Sequence, residues 1–147
     1  MPGNDRSGKP DGSRRLVAPE LLPLLDYFPS FDFNETTLRA IRAGAGTGTS
    51  QRPPLSAEQQ TVSCEQRLIP GPPGAPDVRV LIYVPRGPGK SPRPAYLHMH
   101  GGGYILGTPE INDGSNRTFA AELDCVVISV DYRLAPDTRF PGAVEDG

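Results

Sequence analysis

Residues 95–103 read AYLHMHGGG, the most informative segment of the sequence. A strand-like run ends here in three consecutive glycines, which lack a Cβ and can adopt backbone conformations closed to other residues. A helical pattern follows at about 116–124, and residues 125–130 then read CVVISV, a continuous apolar run typical of a strand buried in a parallel sheet. Because strand, helix and strand in this order form a right-handed crossover, the second half of the chain is predicted to be α/β.

The first part of the chain is predicted to hold shorter elements. Residues 1–18 are rich in glycine and proline and have almost no apolar periodicity, which predicts a disordered leader. Within 19–50, leucines recur at helical spacing, and a second apolar pattern follows Asn34 at an N-cap position, so two short helices are expected there. The remaining residues, 51–147, are assigned to one core domain.

Two further strands are expected ahead of the glycine triplet. Residues 61–69 and 78–84 are rich in β-forming side chains, and the segment between them is rich in turn residues. This spacing suits an antiparallel pair. The strand at 95–100 and the buried run at 125–130 bring the predicted number of strands to four.

Composition excludes several classes of function. The formal net charge of -2 gives no basic field to attract a nucleic-acid backbone, so no nucleic-acid partner is expected. There is no apolar run long enough to span a membrane and no secretory signal, so a cytoplasmic protein is expected. In that reducing compartment Cys64 and Cys125 are expected to remain free thiols.

The glycine triplet admits two interpretations. Taken alone, residues 101–103 favour a flexible turn. Alternatively, their N–H groups converge on a developing negative charge, which is how acyl-transfer enzymes stabilise a tetrahedral intermediate. Residues 131–136, which read DYRLAP, supply the context that separates these interpretations.

Together, HGGG at 100–103 and DYRLAP at 131–136 resemble the hormone-sensitive-lipase-like branch of the α/β-hydrolase family, which includes the bacterial family IV esterases. The resemblance covers about residues 19–147 and implies the N-terminal portion of an α/β-hydrolase fold, with two cap helices, strands 1–4, the first sheet helix and an incomplete sheet. The family's strand order of 1-2-4-3-5 implies that the strand at 95–100 is an open edge.

The resemblance also implies roles for individual residues. Gly102 and Gly103 would supply the oxyanion-hole N–H groups, and His100 and Gly101 would shape the turn that directs them. Tyr104 either lines the entrance of the pocket or packs against its neighbours. The match of Asp131 to DYRLAP makes it a structural residue that supports the loop.

The rest of the family's catalytic machinery does not occur in this sequence. None of the nine serines has the G-x-S-x-G pattern of the family's nucleophile; the nearest match is Ser115. Ser129 and Cys64 have no base assigned to them by the sequence, so packing roles are expected for both. His98 and His100 share one face of a strand, but two ligands are too few for zinc, and no metal or other cofactor is expected.

Three hypotheses about function follow. The resemblance implies a serine-type carboxylic ester hydrolase for small-molecule esters, with a nucleophile from outside this sequence; the 147-residue chain alone is then expected to be inactive. The alternatives are a non-catalytic binding member of the same family, as in the plant gibberellin receptors, and an inactive truncated product. A downstream G-x-S-x-G would favour the enzyme.

Overall fold

The computed structural model describes residues 14–27, 34–44, 53–89 and 91–147, which fall into two compact units that divide at residue 46. Most of the predicted leader therefore lies outside the described residues. Its last part, Arg14–Leu16, forms one turn of 3-10 helix. Among the residues that the structure describes, no helix combines the length and apolar character needed to cross a bilayer.

The first unit contains the two helices expected within 19–50. The first, Pro19–Tyr27, is a 3-10 helix, in part because Pro23 has no N–H to donate to the carbonyl four residues back. The second, α1 (Glu35–Arg42), begins at the predicted N-cap, where the Asn34 side chain accepts a hydrogen bond from the N–H of Thr37 at 2.9 Å.

The second unit is a four-stranded mixed sheet with helices, and it starts with an element that the sequence analysis missed. This is α2 (Ala57–Gln60), a single turn closed by a capping box between Ser56 and Gln59. The amide of Gln59 also donates to the carbonyl oxygen of Gly114 at 3.1 Å. The other elements are β1 (Val62–Ile69), β2 (Val78–Pro85), β3 (Ala95–Met99), α3 (Asp113–Leu123), β4 (Val126–Asp131) and α4 (Gly142–Glu145).

The strands lie in the order β1-β2-β4-β3, which confirms the predicted topology. The pairs β1/β2 and β2/β4 are antiparallel, whereas β3 and β4 are parallel and joined through α3. In the sheet of the described residues, β3 is therefore an edge strand that pairs only with β4. Helix α3 begins three residues before the predicted start at 116.

The two faces of the sheet carry separate apolar clusters because side chains alternate along each strand. On β2, Leu81 and Tyr83 point to the face that Ala120 of α3 covers. Val80 points to the opposite face, where it packs with Val130 of β4. With apolar clusters on both faces, β4 is an inner strand of the sheet, as its continuous apolar sequence predicts.

Candidate active site

A cavity of about 400 Å³ lies at the carboxyl end of β3, where the glycine triplet leaves the sheet. All four HGGG residues line it, together with residues from β3, from the segment after β4 and from the last turn of the chain. The lining residues outside HGGG are Met99, Tyr104, Tyr132, Ala143, Val144 and Gly147. The structure thus brings the sequence-predicted site residues together at one cavity.

The backbone of the glycine loop, residues 101–107, requires glycine at defined positions. Gly102 has φ +134°, and a Cβ there would overlap the backbone carbonyl of Leu106. Gly103 has φ +63°, but a Cβ there would meet open space, so only its backbone conformation disfavours a side chain. Tyr104 also has φ 63°, an uncommon conformation for a residue that carries a side chain.

The backbone N–H groups of the loop fall into two sets. Those of Ile105 and Leu106 both donate to the carbonyl oxygen of Gly102, at 3.2 and 2.9 Å, and close the turn. Within the described part of the chain, no group accepts a hydrogen bond from the N–H of Gly102 or Gly103. Two adjacent N–H groups on the wall of a cavity are a suitable arrangement for binding a negatively charged oxygen.

The His100 ring is buried and holds the first residue of the triplet. Its Nδ1 lies 3.0 Å from the carbonyl oxygen of Gly101, and because that oxygen can only accept, Nδ1 carries the proton. The other ring nitrogen, Nε2, is buried and contacts no hydrogen-bonding partner among the described residues. The ring stacks on that of Tyr132 at a centroid distance of 4.2 Å.

The DYRLAP segment fixes the loop through two hydrogen bonds. The hydroxyl of Tyr132 donates to the carbonyl oxygen of His100 at 2.6 Å. The backbone N–H of Ala135 donates to the carbonyl oxygen of Tyr104 at 2.8 Å. Burial, with a smaller contribution from Tyr104, raises the pKa of Tyr132, so its phenol keeps the proton that it donates. The two motifs that carry the family resemblance are therefore in direct contact.

The Asp131 side chain contacts Arg79 rather than the loop itself. Its carboxylate accepts a hydrogen bond from Nε of Arg79 at 2.7 Å, and the same guanidinium donates to Glu110 at 2.6 Å. The direct contacts with the loop belong to Tyr132 and Ala135. Asp131 therefore contacts Arg79 and directly precedes Tyr132, the residue that bonds to the start of the loop.

An ion pair fixes α4 against the segment after β4. Nη2 of Arg133 lies 2.7 Å from the buried carboxylate of Asp146, which also accepts the backbone N–H of Arg133 at 2.8 Å. Burial opposes ionisation of Asp146, but the hydrogen bonds from Arg133 outweigh it and hold the pKa of this carboxyl below its usual value. This contact places Ala143 and Val144 on the wall of the cavity.

Ser129 does have a basic partner, contrary to the expectation from sequence. Nδ1 of His98 lies 3.0 Å from its hydroxyl oxygen, because the two residues are paired neighbours on β3 and β4. Burial, with a smaller contribution from His100, lowers the pKa of His98. Ser129 is completely buried, so no substrate reaches its hydroxyl and the pair is a cross-strand contact.

Neither cysteine lines this cavity, and of the two histidines considered as metal ligands only His100 does. Neither cysteine forms a disulfide within the described residues. Cys125 is buried and its thiol donates to the carbonyl oxygen of Phe119, whereas Cys64 is exposed overall but lies beside Tyr83, and partial burial raises the pKa of its thiol. Cys64 lies on β1, an edge strand whose only buried residue is Val62, so its packing is partial. No cluster of three or more metal-binding side chains occurs in the described ranges.

Three residues that shape the site were missed by the sequence analysis. Gly107 has φ +102°, and a Cβ there would overlap the ring of His100 and the carbonyl of Gly101. A single glycine four residues after the triplet was the available signal. Arg79 and Glu110 gave no such signal, because their contact joins residues that lie 31 positions apart.

Tyr104 combines both of the interpretations that the sequence left open. Its ring lies 5.8 Å from that of Tyr132, a packing contact, and it lines the cavity described above. It also borders a second, adjacent cavity of about 260 Å³. Tyr104 is therefore a wall residue between two cavities, and its ring is more than half exposed.

Comparison with known proteins finds relatives that are esterases. A family model for the α/β hydrolase fold matches residues 96–147, the part that contains HGGG and DYRLAP. The chain is 34% identical over 146 residues to the esterase LipI of Mycobacterium tuberculosis, covering 99% of this chain and 43% of LipI. It is 30% identical over 145 residues to carboxylesterase NlhH of the same species, covering 94% of this chain and 41% of NlhH.

Solved structures give the same result. A bacterial heroin esterase superposes with a TM-score of 0.70 at 36% identity, over 88% of this chain and 40% of that one. An esterase from Pyrobaculum calidifontis superposes with a TM-score of 0.62 at 32% identity, over 88% of this chain and 40% of its own. The chain spans less than half the length of these relatives. It belongs to the α/β-hydrolase family, in the hormone-sensitive-lipase-like branch, and corresponds to an N-terminal part of that fold.

Proposed function

We propose that this chain is the oxyanion-binding part of a serine-type carboxylic ester hydrolase that acts on small-molecule esters. In this proposal Gly102 and Gly103 donate their N–H groups to the carbonyl oxygen of the ester as it gains negative charge. His100 and Gly101 hold the turn that presents these donors. The nucleophilic serine and its acid and base come from chain outside this sequence.

The observation that carries the proposal is the pair of adjacent N–H groups without an acceptor at the cavity wall. The carbonyl oxygens of the same loop accept from other groups: that of Gly102 from Ile105 and Leu106, and that of Tyr104 from Ala135. Donors that are fixed before the substrate arrives need no reorganisation when the oxyanion forms. The relatives LipI and NlhH are named as an esterase and a carboxylesterase, which supports the same chemistry.

The first experiment determines the mass and the activity of the native polypeptide. An antibody against residues 1–40 isolates it from its source, and intact-mass spectrometry is followed by an assay with p-nitrophenyl acetate. We expect a mass of at least about twice 15.8 kDa, together with hydrolysis that a serine-directed phosphonate abolishes. A folded polypeptide of 15.8 kDa without hydrolysis would overturn the proposal.

The second experiment tests the donors with a matched pair of substitutions in that native polypeptide. Gly103 and Gly74 both have positive φ and open space around the Cβ position, so alanine imposes a similar backbone strain at each. Gly74 lies in the turn between β1 and β2, away from the cavity. Alanine keeps the N–H of residue 103 but disfavours the backbone conformation that directs it. We therefore expect G103A to lower kcat by up to about 10²–10³-fold, the effect of losing one oxyanion donor, while G74A leaves kcat near that of the wild type.

A further inference from the structure

Arg79 lies between two carboxylates that belong to different segments around the loop. From β2, its Nε donates to Oδ2 of Asp131 at 2.7 Å. Its other nitrogens bind the Glu110 carboxylate in bidentate fashion, with Nη1–Oε1 at 2.6 Å and Nη2–Oε2 at 3.3 Å. Nη1 also donates to the side-chain oxygen of Gln66 at 3.3 Å. A planar guanidinium with this many directed contacts fixes the positions of its partners.

The two carboxylates stand next to the two ends of the loop. Asp131 directly precedes Tyr132, the residue that holds the carbonyl of His100 at the start of the loop. Glu110 lies in the 3-10 helix Pro109–Asn112, which follows the loop's last glycine, Gly107, by two residues. Arg79 therefore connects the anchor at the start of the loop to the segment into which the loop runs.

The contact between Arg79 and Glu110 stabilises the charged form of both side chains. Hydrogen bonds from Arg79 hold the pKa of Glu110 at about 2, well below its usual 4.5. The same contact with Glu110 raises the pKa of Arg79. The three side chains are between a quarter and a third exposed, so solvent screens them less than it screens a surface pair.

We propose that Arg79 is a positioning residue for the glycine loop. Because it bridges Asp131 and Glu110, it sets the direction in which the N–H groups of Gly102 and Gly103 point. Arg79 touches neither glycine; it acts through the two ends of the loop. The proposal rests on the proposed function for its catalytic consequence. Its structural consequence, the order of the loop, holds whether or not the chain takes part in hydrolysis.

The structural consequence is tested on the 147-residue chain by NMR. Order parameters are measured at the amides of Gly102 and Gly103, and hydrogen exchange at the amide of Leu106, which closes the turn. In the wild type we expect order parameters of about 0.85, and in R79M values below about 0.6, with faster exchange at Leu106. Where R79M does not fold, E110Q takes its place, because it removes the charged bidentate contact and leaves Arg79 with Asp131.

A matched control separates positioning from general stability. Arg117 is another half-buried arginine, paired with Asp113 at 3.0 Å and donating to the carbonyl oxygen of Val62. Its contacts lie beside β1 rather than at the loop's anchors. We expect R117M to reduce the free energy of unfolding while the amides of Gly102 and Gly103 keep their order parameters. Unchanged order in R79M, or equal loss of order in R117M, would overturn the proposal.

The catalytic consequence is tested in the native polypeptide. Because a displacement of about 1 Å in a catalytic group can cost up to about 10²-fold in rate, we expect R79M to lower kcat by about 10–100-fold with little change in KM. R79K keeps the positive charge but not the planar guanidinium that binds a carboxylate through two N–H groups, so its kcat should lie between those of R79M and the wild type. An R79M effect confined to KM contradicts the proposal. If the wild type has no hydrolysis, the proposed function fails while the NMR result still decides the role of Arg79.

Discussion

Tyr132 carries two contacts with the start of the loop, one through its ring and one through its hydroxyl. The ring stacks on His100, and the hydroxyl donates to the buried His100 backbone carbonyl at 2.6 Å. Removing the hydroxyl alone leaves the stacking intact and deprives that carbonyl of its donor. An unsatisfied buried acceptor typically costs about 1–3 kcal/mol.

Y132F should therefore lower the free energy of unfolding by about 1–3 kcal/mol, measured by urea denaturation. Y96F is the matched control, because Tyr96 is nearly half exposed on β3 and its ring contacts with Phe119 and His98 do not need the hydroxyl. We expect Y96F to change the unfolding free energy by less than about 0.5 kcal/mol. Equal effects of the two substitutions would contradict the importance of the Tyr132 hydrogen bond.

The depressed pKa of Glu110 predicts how stability changes in acid. Its value in the folded chain, about 2, lies below the usual 4.5, so the carboxylate stabilises the fold above pH 4.5 and loses this contribution as the pH falls toward 2. E110Q lacks the contribution at every pH. We expect wild type to exceed E110Q in unfolding free energy by about 1–2 kcal/mol at pH 7, after allowance for solvent screening, and the difference to vanish near pH 2.

Urea denaturation of both proteins between about pH 2 and 7 measures this difference. Asp146 also has a lowered pKa, but it is present in both proteins and cancels in the subtraction. A difference that stays constant across the range would show that the effect of the substitution does not depend on the charge of Glu110.

At the level of elements, α4 has only four residues and depends on a contact outside itself. A helix this short does not persist in water through its own hydrogen bonds. Arg133 supplies the stabilisation by binding the buried Asp146 carboxylate and by donating to the carbonyl oxygen of Gly142 at 3.3 Å. Removing the charge of Asp146 leaves the Arg133 side chain without its main partner.

D146N should loosen α4 and lower the free energy of unfolding by about 1–3 kcal/mol. Hydrogen exchange at the amides of Val144 and Glu145, which donate to the carbonyl of Pro141, reports on the helix itself. E145Q is the control: its carboxylate is nearly half exposed and lies 3.7 Å from Arg133, so a change below about 0.5 kcal/mol is expected. If the amides of Val144 and Glu145 exchange as slowly in D146N as in the wild type, α4 does not depend on the contact between Arg133 and Asp146.

The sequence predicted most elements because their signals are local. The Asn34 cap, the turn-separated pair β1 and β2, and the continuous apolar run of β4 all follow from neighbouring residues. The failures also have physical causes. Pro23 helps to turn a predicted helix into a 3-10 helix, and α2 consists of a single capped turn that is too short for a periodic pattern.

The candidate site was predictable only in part. The glycine triplet is visible in the sequence because three residues without Cβ stand together, and the structure places them at a cavity. The ion pairs around it are not visible, because Arg79 and Asp131 lie 52 positions apart and no local pattern connects them. The contact of His98 with Ser129 was missed for the same reason: it depends on strand register.

For the molecule as a whole, the two edges of the sheet differ in their protection. Along β1, Glu65 and Arg67 form an exposed ion pair at 2.9 Å, and charged side chains discourage pairing between edge strands. Strand β3 carries no acidic side chain and no basic one other than His98, and its apolar residues are about half exposed: Tyr96, Leu97 and Met99. In the chain as described, β3 is thus the edge more prone to self-association.

We expect the purified 147-residue chain to associate as its concentration rises, and L97K to reduce this association by placing a charge on β3. Sedimentation velocity over a range of concentrations measures it. L68K is the matched control, since Leu68 is equally an exposed leucine but lies on β1. Two results would contradict the assignment of β3 as the edge that self-associates. One is a wild type that sediments as a monomer at every concentration, and the other is an equal reduction of association by L97K and L68K.

The contacts between HGGG and DYRLAP also limit how the glycine loop can be transplanted. The loop keeps its conformation because Tyr132 and Ala135, both in the other motif, bind the carbonyls of His100 and Tyr104. A chimera that receives only residues 100–107 would lose both bonds, whereas one that also receives 131–136 would keep them. The two segments therefore form one exchangeable module, although 23 residues of sequence separate them.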